Sequence, residues 1–210
     1  MDVIIIGAGG HGRVVLDILR LGRELNPVGF LDAEPALAGS SVGGLEVLGA
    51  PNQLVRLRRS VRGAIVAIGD NRVRAGYARL VEQHGLELVN AVHPASVVSP
   101  SAQLGRNVVI AAGAVAGVEA RIADSCILNT HCVVDHECEL AEAVHVAPAA
   151  ALGGRVRVGA RTLVGLGSRI LPCIQIGEDA TIGAGSTVIR DVPSGATVVG
   201  VPARPIRSAT

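Results

Sequence analysis

Polar and titratable side chains are densest between residues 122 and 160, where Asn129, His131, Asp135, His136, Glu137 and His145 lie among Cys126, Cys132 and Cys138. The run Asp135-His136-Glu137 is the most pointed of these. A carboxylate beside an imidazole holds its tautomer and raises its basicity, so His136 is the candidate general base. Asp135 and Glu137 are its candidate partners. Solvent-facing polar residues on an exposed face are the alternative reading of the same run. A second group opens the chain. Gly7-Ala8-Gly9-Gly10-His11-Gly12 follows the apolar run Val3–Ile6 and precedes a helical pattern of Val14, Val15, Ile18 and Leu19. Strand, glycine turn and helix form a setting in which backbone N–H groups hold phosphate.

The elements that must position the first group repeat every six residues. From Val92 to Pro193 each block of six opens on an aliphatic residue or Ala, and its fifth residue is small or aliphatic and never charged. A fixed short period predicts a stacked solenoid. Two inward positions per six fit a short strand and a bend. Three such faces make a triangular coil of eighteen residues, with just under six turns and a length of roughly 27 Å. Register then decides direction. Cys126, Cys132 and Cys138 fall on the inward fifth position, while His131, His136 and His145 fall on outward ones. Sulfur inside and imidazole outside cannot converge on zinc, so no metal site is expected. Gly154 lies eighteen residues after His136 and is predicted to stack directly above it. Leu166 and Ala184 are also eighteen apart and share a face.

Ahead of the repeat, the pattern predicts strands at 3–6, 28–31, 64–68 and 86–89. Helical stretches start after Gly12, after Pro51 and after Asn71, the last stopping at Gly85. This βαβ punctuation predicts a small parallel α/β sheet over residues 1–91, followed by the solenoid with its tail over 92–210. Gly7, Gly9 and Gly12 also match the dinucleotide fingerprint. However, only about 90 residues precede the repeat and no second mononucleotide half follows, so a different phosphate-bearing ligand is expected. A turn that simply needs glycine is the structural alternative.

Composition narrows the class. The 210 residues carry a net charge of +1, which suggests neither nucleic acid nor a membrane surface as partner. All basic residues are Arg, Trp is absent, and Phe30 and Tyr77 are the only aromatics. A repeat of small and branched aliphatics needs no large side chains. No apolar run approaches a membrane span. The start lacks a basic leader, and with four free-looking cysteines a cytoplasmic protein is expected.

The hexads resemble those of the hexapeptide-repeat acyltransferases, which fold as left-handed parallel β-helices and work as trimers. The Gly200-Val201-Pro202-Ala203-Arg204 run resembles the terminal signature of the acetyl-CoA-using members. With Gly7–Gly12, Phe30-Leu31-Asp32, Ala67–Asn71 and Asn129 to His145, nearly the whole chain resembles one subfamily: bacterial sugar acetyltransferases with a small Rossmann-like domain in front of the β-helix. It includes the N-acetyltransferases of UDP-4-amino sugars in bacillosamine synthesis and of GDP-perosamine, and relatives named as sialic-acid O-acetyltransferases.

The resemblance implies an enzyme that moves an acetyl group from acetyl-CoA to the amino group of a nucleotide-linked sugar. It implies a homotrimer with active sites between subunits. By the same resemblance, Gly10, His11, Asp32, Gly69 and Asn71 contact the nucleotide-sugar, and Asn129 is assigned to substrate. His136 is the base, with Glu137 or Asp135 raising its basicity. His145, Gly154, Leu166, Ala184, Gly200 and Pro202 line the acetyl-CoA groove. A direct transfer is expected, with His145 and the Gly154 amide binding the thioester carbonyl. An O-acetyltransferase acting on a sialic acid or another sugar hydroxyl, and a non-enzymatic β-helix binding protein, are the alternatives.

Overall fold

A computed structural model describes residues 1–22 and 24–207 and divides into two compact units, Met1–Pro94 and Ala95–Thr210.

In the first unit, β1 (Asp2–Ile6) leads through the glycine turn into α1 (Gly10–Gly22) and then β2 (Asn26–Leu31). A hairpin follows, β3 (Ser41–Val42) and β4 (Leu45–Glu46), then α2 (Leu54–Leu57), β5 (Gly63–Val66), α3 (Asn71–Gln83) and β6 (Glu87–Leu88). The sheet runs in the order β2-β1-β5-β6, and every neighbour is parallel. That matches the expected βαβ sheet. The hairpin was not anticipated, although Gly43-Gly44 marks it. Both glycines have positive φ (56° and 81°), as a two-residue hairpin turn demands. β1 and β5 are buried along Val3–Ile6 and Ala64–Val66, which explains their unbroken apolar runs.

The second unit is the solenoid. Up to Thr187–Val188 its strands are two residues long and pair in parallel with the strand eighteen residues away; Thr197–Val199 closes the stack sixteen residues after Thr181 and pairs antiparallel with Arg204–Arg207. One face runs from Val109–Ile110 through Ile127–Leu128, His145–Val146, Leu163–Val164 and Thr181–Ile182 to Thr197–Val199. A second runs from Val97–Val98 through Val115–Ala116, Val133–Val134, Ala151–Leu152 and Arg169–Ile170 to Thr187–Val188. The third runs from Gln103–Leu104 through Arg121–Ile122, Glu139–Leu140 and Arg157–Val158 to Gln175–Ile176.

From Ile110 to Val198 the strand leads form one buried core with the residues four positions later, Cys126, Cys132 and Cys138 included. The fourth residue of each block, from Asn107 to Gly185, has positive φ. This left-handed residue bends the chain at every corner; Asn107, Ser125 and Ala143 are buried there, while Glu137, Arg155 and Cys173 are exposed. Polar fifth-position residues are satisfied inside. The Thr162 hydroxyl donates to Gly177 O at 2.6 Å and accepts from Ala180 N at 3.1 Å.

Candidate active site

His136 stands at the corner between the second and third faces, just after Val133–Val134, with its side chain 48% exposed. Gly154 occupies the same corner one coil later, as the eighteen-residue stacking predicts. A Cβ on Gly154 would overlap His136 Nε2 and Cε1, so the Nε2 edge of the imidazole lies close against bare backbone. Only glycine leaves that space.

The two acids beside His136 do different things. Asp135 Oδ1 accepts the backbone N–H of His136 at 2.7 Å and so shapes the corner. Glu137 Oε2 sits 3.8 Å from His136 Nδ1. Glu137 is one of the left-handed corner residues (φ 56°), and that geometry swings its carboxylate back beside the ring. Arg155, one coil above Glu137, brings its Nε to 3.7 Å of the same Oε2. Cys173, another coil on, is exposed, and its N–H donates to Gly154 O at 3.0 Å. Neither Arg155 nor Cys173 was singled out from the sequence. Both follow Glu137 at steps of eighteen, which is the signal that finds them.

His145 lies elsewhere. It belongs to the first face, in register with Ile127 of the neighbouring strand. Asn129 Oδ1 accepts Thr130 N–H at 2.8 Å, so its Nδ2 donates to His145 Nε2 at 3.1 Å. A neutral His145 therefore carries its proton on Nδ1. Leu166 and Ala184 stack at the corner between the first and second faces, joined by Gly185 N–H to Leu166 O at 2.8 Å. Leu166 is 56% exposed. Gly200 adjoins that corner, since its N–H donates to Ser186 Oγ at 3.1 Å and its carbonyl accepts Thr187 N–H at 3.0 Å. Pro202 follows two residues on and is exposed.

The site residues thus form two groups in one chain. Asp135, His136, Glu137 and Gly154 share one corner. Asn129, His145, Leu166, Ala184 and Gly200 line the first face and the opposite corner. The second face lies between them. The expected pairing of His145 with Gly154 around one carbonyl does not form within a single chain. His136 and His145 are nine residues apart, and Gly154 and Leu166 twelve; neither is a multiple of eighteen. The outward side chains of the second face are Val97, Val115, Val133, Ala151, Arg169 and Thr187, apolar as far as Ala151, with Val97 62% exposed.

Cys126, Cys132 and Cys138 fall inward as register requires. Burial pushes the Cys132 thiol up to about 12 and the Cys138 thiol to about 11, so both stay protonated and unreactive. Among the described residues, no three His, Cys, Asp or Glu side chains gather as a metal-binding group.

In the first unit, the singled-out residues sit past the carboxyl ends of parallel strands, where open α/β sheets bind ligands. Gly7 (φ 105°) and Gly12 are structural: a Cβ on Gly12 would overlap the Gly7 carbonyl. Around Gly10 and Gly69 a Cβ would meet nothing within 4 Å, so both backbones are approachable. Asp32 Oδ2 accepts Ala8 N–H at 2.7 Å and Oδ1 accepts Glu34 N–H at 2.9 Å, locking the glycine turn. Fully buried Arg74 does the same for the other loop, donating to Ile68 O at 2.9 Å, Gly69 O at 3.1 Å and Asn71 Oδ1 at 2.8 Å. His11 lies close enough to feel that guanidinium. Burial first, and Arg74 second, lower its pKa from 6.5 to about 4, and its buried Nε2 has no hydrogen-bond partner.

Comparison with known proteins places this geometry. Residues 2–81 match the PglD N-terminal domain, and residues 155–190 match the hexapeptide repeat of succinyl-transferase. GDP-perosamine N-acetyltransferase of Escherichia coli O157:H7 is 29% identical over 97% of this chain and 95% of its own length. Crystalline PerB from Caulobacter crescentus, in complex with CoA and GDP-perosamine, is 44% identical over 98% of this chain and 97% of that one, with a TM-score of 0.93. Variants of the Caulobacter perosamine N-acetyltransferase with one histidine changed to asparagine or alanine have been solved in the same complex. The acetyltransferase domain of PglB from Neisseria gonorrhoeae FA1090, in complex with acetyl coenzyme A, is 35% identical over 98% of both chains, with a TM-score of 0.93. A serine acetyltransferase of Synechococcus elongatus matches over only 44 residues, so this chain spans 18% of its length.

Proposed function

This chain belongs to the nucleotide-sugar N-acetyltransferases that join a PglD N-terminal domain to a hexapeptide-repeat solenoid, and from that premise we propose that it acetylates the amino group of a nucleotide-linked 4-amino sugar with acetyl-CoA. The observation that carries the reading is the His136 imidazole, set against the Gly154 backbone with Glu137 at its Nδ1.

His136 Nε2 accepts a proton as the sugar amine attacks the thioester carbonyl. The C–N bond forms, the C–S bond breaks, and CoA leaves as a thiolate that takes up a proton. Glu137 faces the Nδ1 side, which orients the ring and favours the imidazolium that forms. Transfer is direct, since the buried thiols stay protonated. Gly10, His11, Asp32, Gly69 and Asn71 are the proposed nucleotide-sugar hold in the first unit, and Asn129 is a proposed substrate contact in the second.

The two separated groups fit a homotrimer in which the His136 corner of one copy meets the His145 face of the next. His145, Leu166, Ala184, Gly200 and Pro202 then line the acetyl-CoA groove opposite Gly154. The second face, bordered by both groups and apolar from Val97 to Ala151, is the surface such an assembly buries. Dependence on acetyl-CoA and a nucleotide-sugar suits work in the cytoplasm, and no described helix is long and apolar enough to cross a membrane.

The test is acetyl-CoA turnover against a panel of amino and hydroxyl sugars, free and nucleotide-linked. Turnover is expected only with nucleotide-linked amino sugars; turnover confined to hydroxyl sugars would overturn the reading. His136→Ala should lower the rate on the order of 10²–10⁴-fold with the fold intact. Mass spectrometry during turnover should find no acetyl group on Cys173 or any other cysteine.

A further inference from the structure

The Glu137 carboxylate has two claimants. Oε2 lies 3.8 Å from His136 Nδ1 and 3.7 Å from Arg155 Nε. Arg155 occupies the corner position directly above Glu137, and both have a left-handed backbone (φ 60° and 56°) and an exposed side chain. The stacking is locked by Arg155 N–H donating to His136 O at 2.9 Å. A carboxylate alone beside an imidazole stabilises the imidazolium, and an imidazolium cannot take the amine's proton.

Resting on the reading of His136 as the base, we propose that Arg155 is a positioning residue that shares Glu137 and so sets how much of its negative charge the imidazole feels. A guanidinium on the same oxygen offsets that charge. It weakens the carboxylate's pull toward imidazolium, while the carboxylate still orients the ring.

The other charged groups around this corner are accounted for. Asp135 is tied to the backbone of His136. Glu119 sits one coil below, Glu139 pairs with Arg157 at 3.5 Å, and Arg121 and Cys173 line the same open cavity of about 680 Å³ as Glu137 and Arg155. Glu119, Glu139 and Arg157 are common to every variant compared below. Glu137 and Arg155 are both about half exposed or more, so their coupling is also sensitive to salt.

The deciding measurement is the pH dependence of kcat/KM for the amino-sugar substrate at saturating acetyl-CoA. In Arg155→Met, the acid limb should move to higher pH by about half a unit, roughly a threefold gain in proton affinity. The sign follows because a lost cation and an unshared carboxylate both favour imidazolium. Arg155→Lys should move the limb back toward wild type, and about 0.5 M salt should shrink the shift. In a Glu137→Gln background, Arg155→Met should leave the limb where Glu137→Gln alone puts it. An unmoved limb in Arg155→Met, or the full shift persisting without Glu137, overturns the proposal.

The same shift should appear without substrate in the NMR titration of the His136 ring, identified by its loss in His136→Ala. A chain that turned over no amino sugar would therefore defeat the functional reading, while the NMR titration would still decide the role of Arg155.

Discussion

At Gly154 a single methyl group decides the chemistry. A Cβ there would overlap the His136 ring, so Gly154→Ala must turn the imidazole off its backbone rest. We expect kcat/KM to fall by about 10–100-fold with little change in Tm, since the position is at a corner and outside the apolar core. Unchanged turnover would show that the observed ring orientation is not the working one. His11 makes a different residue-scale prediction. Its pKa is lowered to about 4 in the folded chain against 6.5 ordinarily. Between those values the unfolded chain binds the proton and the folded one does not, so stability is full above about pH 6.5 and declines toward pH 4. The loss is on the order of 3 kcal/mol, and His11→Gln should flatten that part of a urea-denaturation pH series.

At the scale of the element, the solenoid coil is held by its neighbours, so one failed contact is felt along the stack. Thr162 is the clearest case. Thr162→Val keeps the shape but leaves Gly177 O and Ala180 N–H without the hydroxyl between them. A loss of about 1–3 kcal/mol is expected in chemical denaturation. The coils were legible from the hexads because a two-residue strand and a left-handed corner repeat without a slip. The first unit was legible in outline only. β5 stops at Val66, because Ala67 to Asp70 is drawn into the loop that Arg74 holds, and β6 has only two residues. That loop is tertiary in origin, and its organiser is a buried arginine that reads in sequence as an ordinary polar position on α3.

For the whole molecule, the separation of His136 from His145 across the second face carries the prediction. His136→Ala and His145→Ala chains should each be nearly inactive alone. Co-expressed, they should recover a substantial share of wild-type activity, because a mixed trimer has junctions where one chain brings an intact His136 and its neighbour an intact His145. Activity no higher than in the single variants would place each site within one chain. Sedimentation equilibrium should report three 21.3 kDa chains per particle, and Val133→Glu on the second face should break that particle into single chains.

The sequence by itself determined direction and stacking. A period of six sends Cys126, Cys132 and Cys138 inward and His136 outward, and a period of eighteen sets Gly154 over His136 and Arg155 over Glu137. Tertiary structure alone decided which atoms meet. Asp135 and Glu137 flank His136 symmetrically in the chain, yet one caps a backbone N–H while the other reaches the ring, because only Glu137 occupies the left-handed corner. Period fixes the side of a wall on which a residue stands; the backbone angle at the corner fixes where its last atoms go.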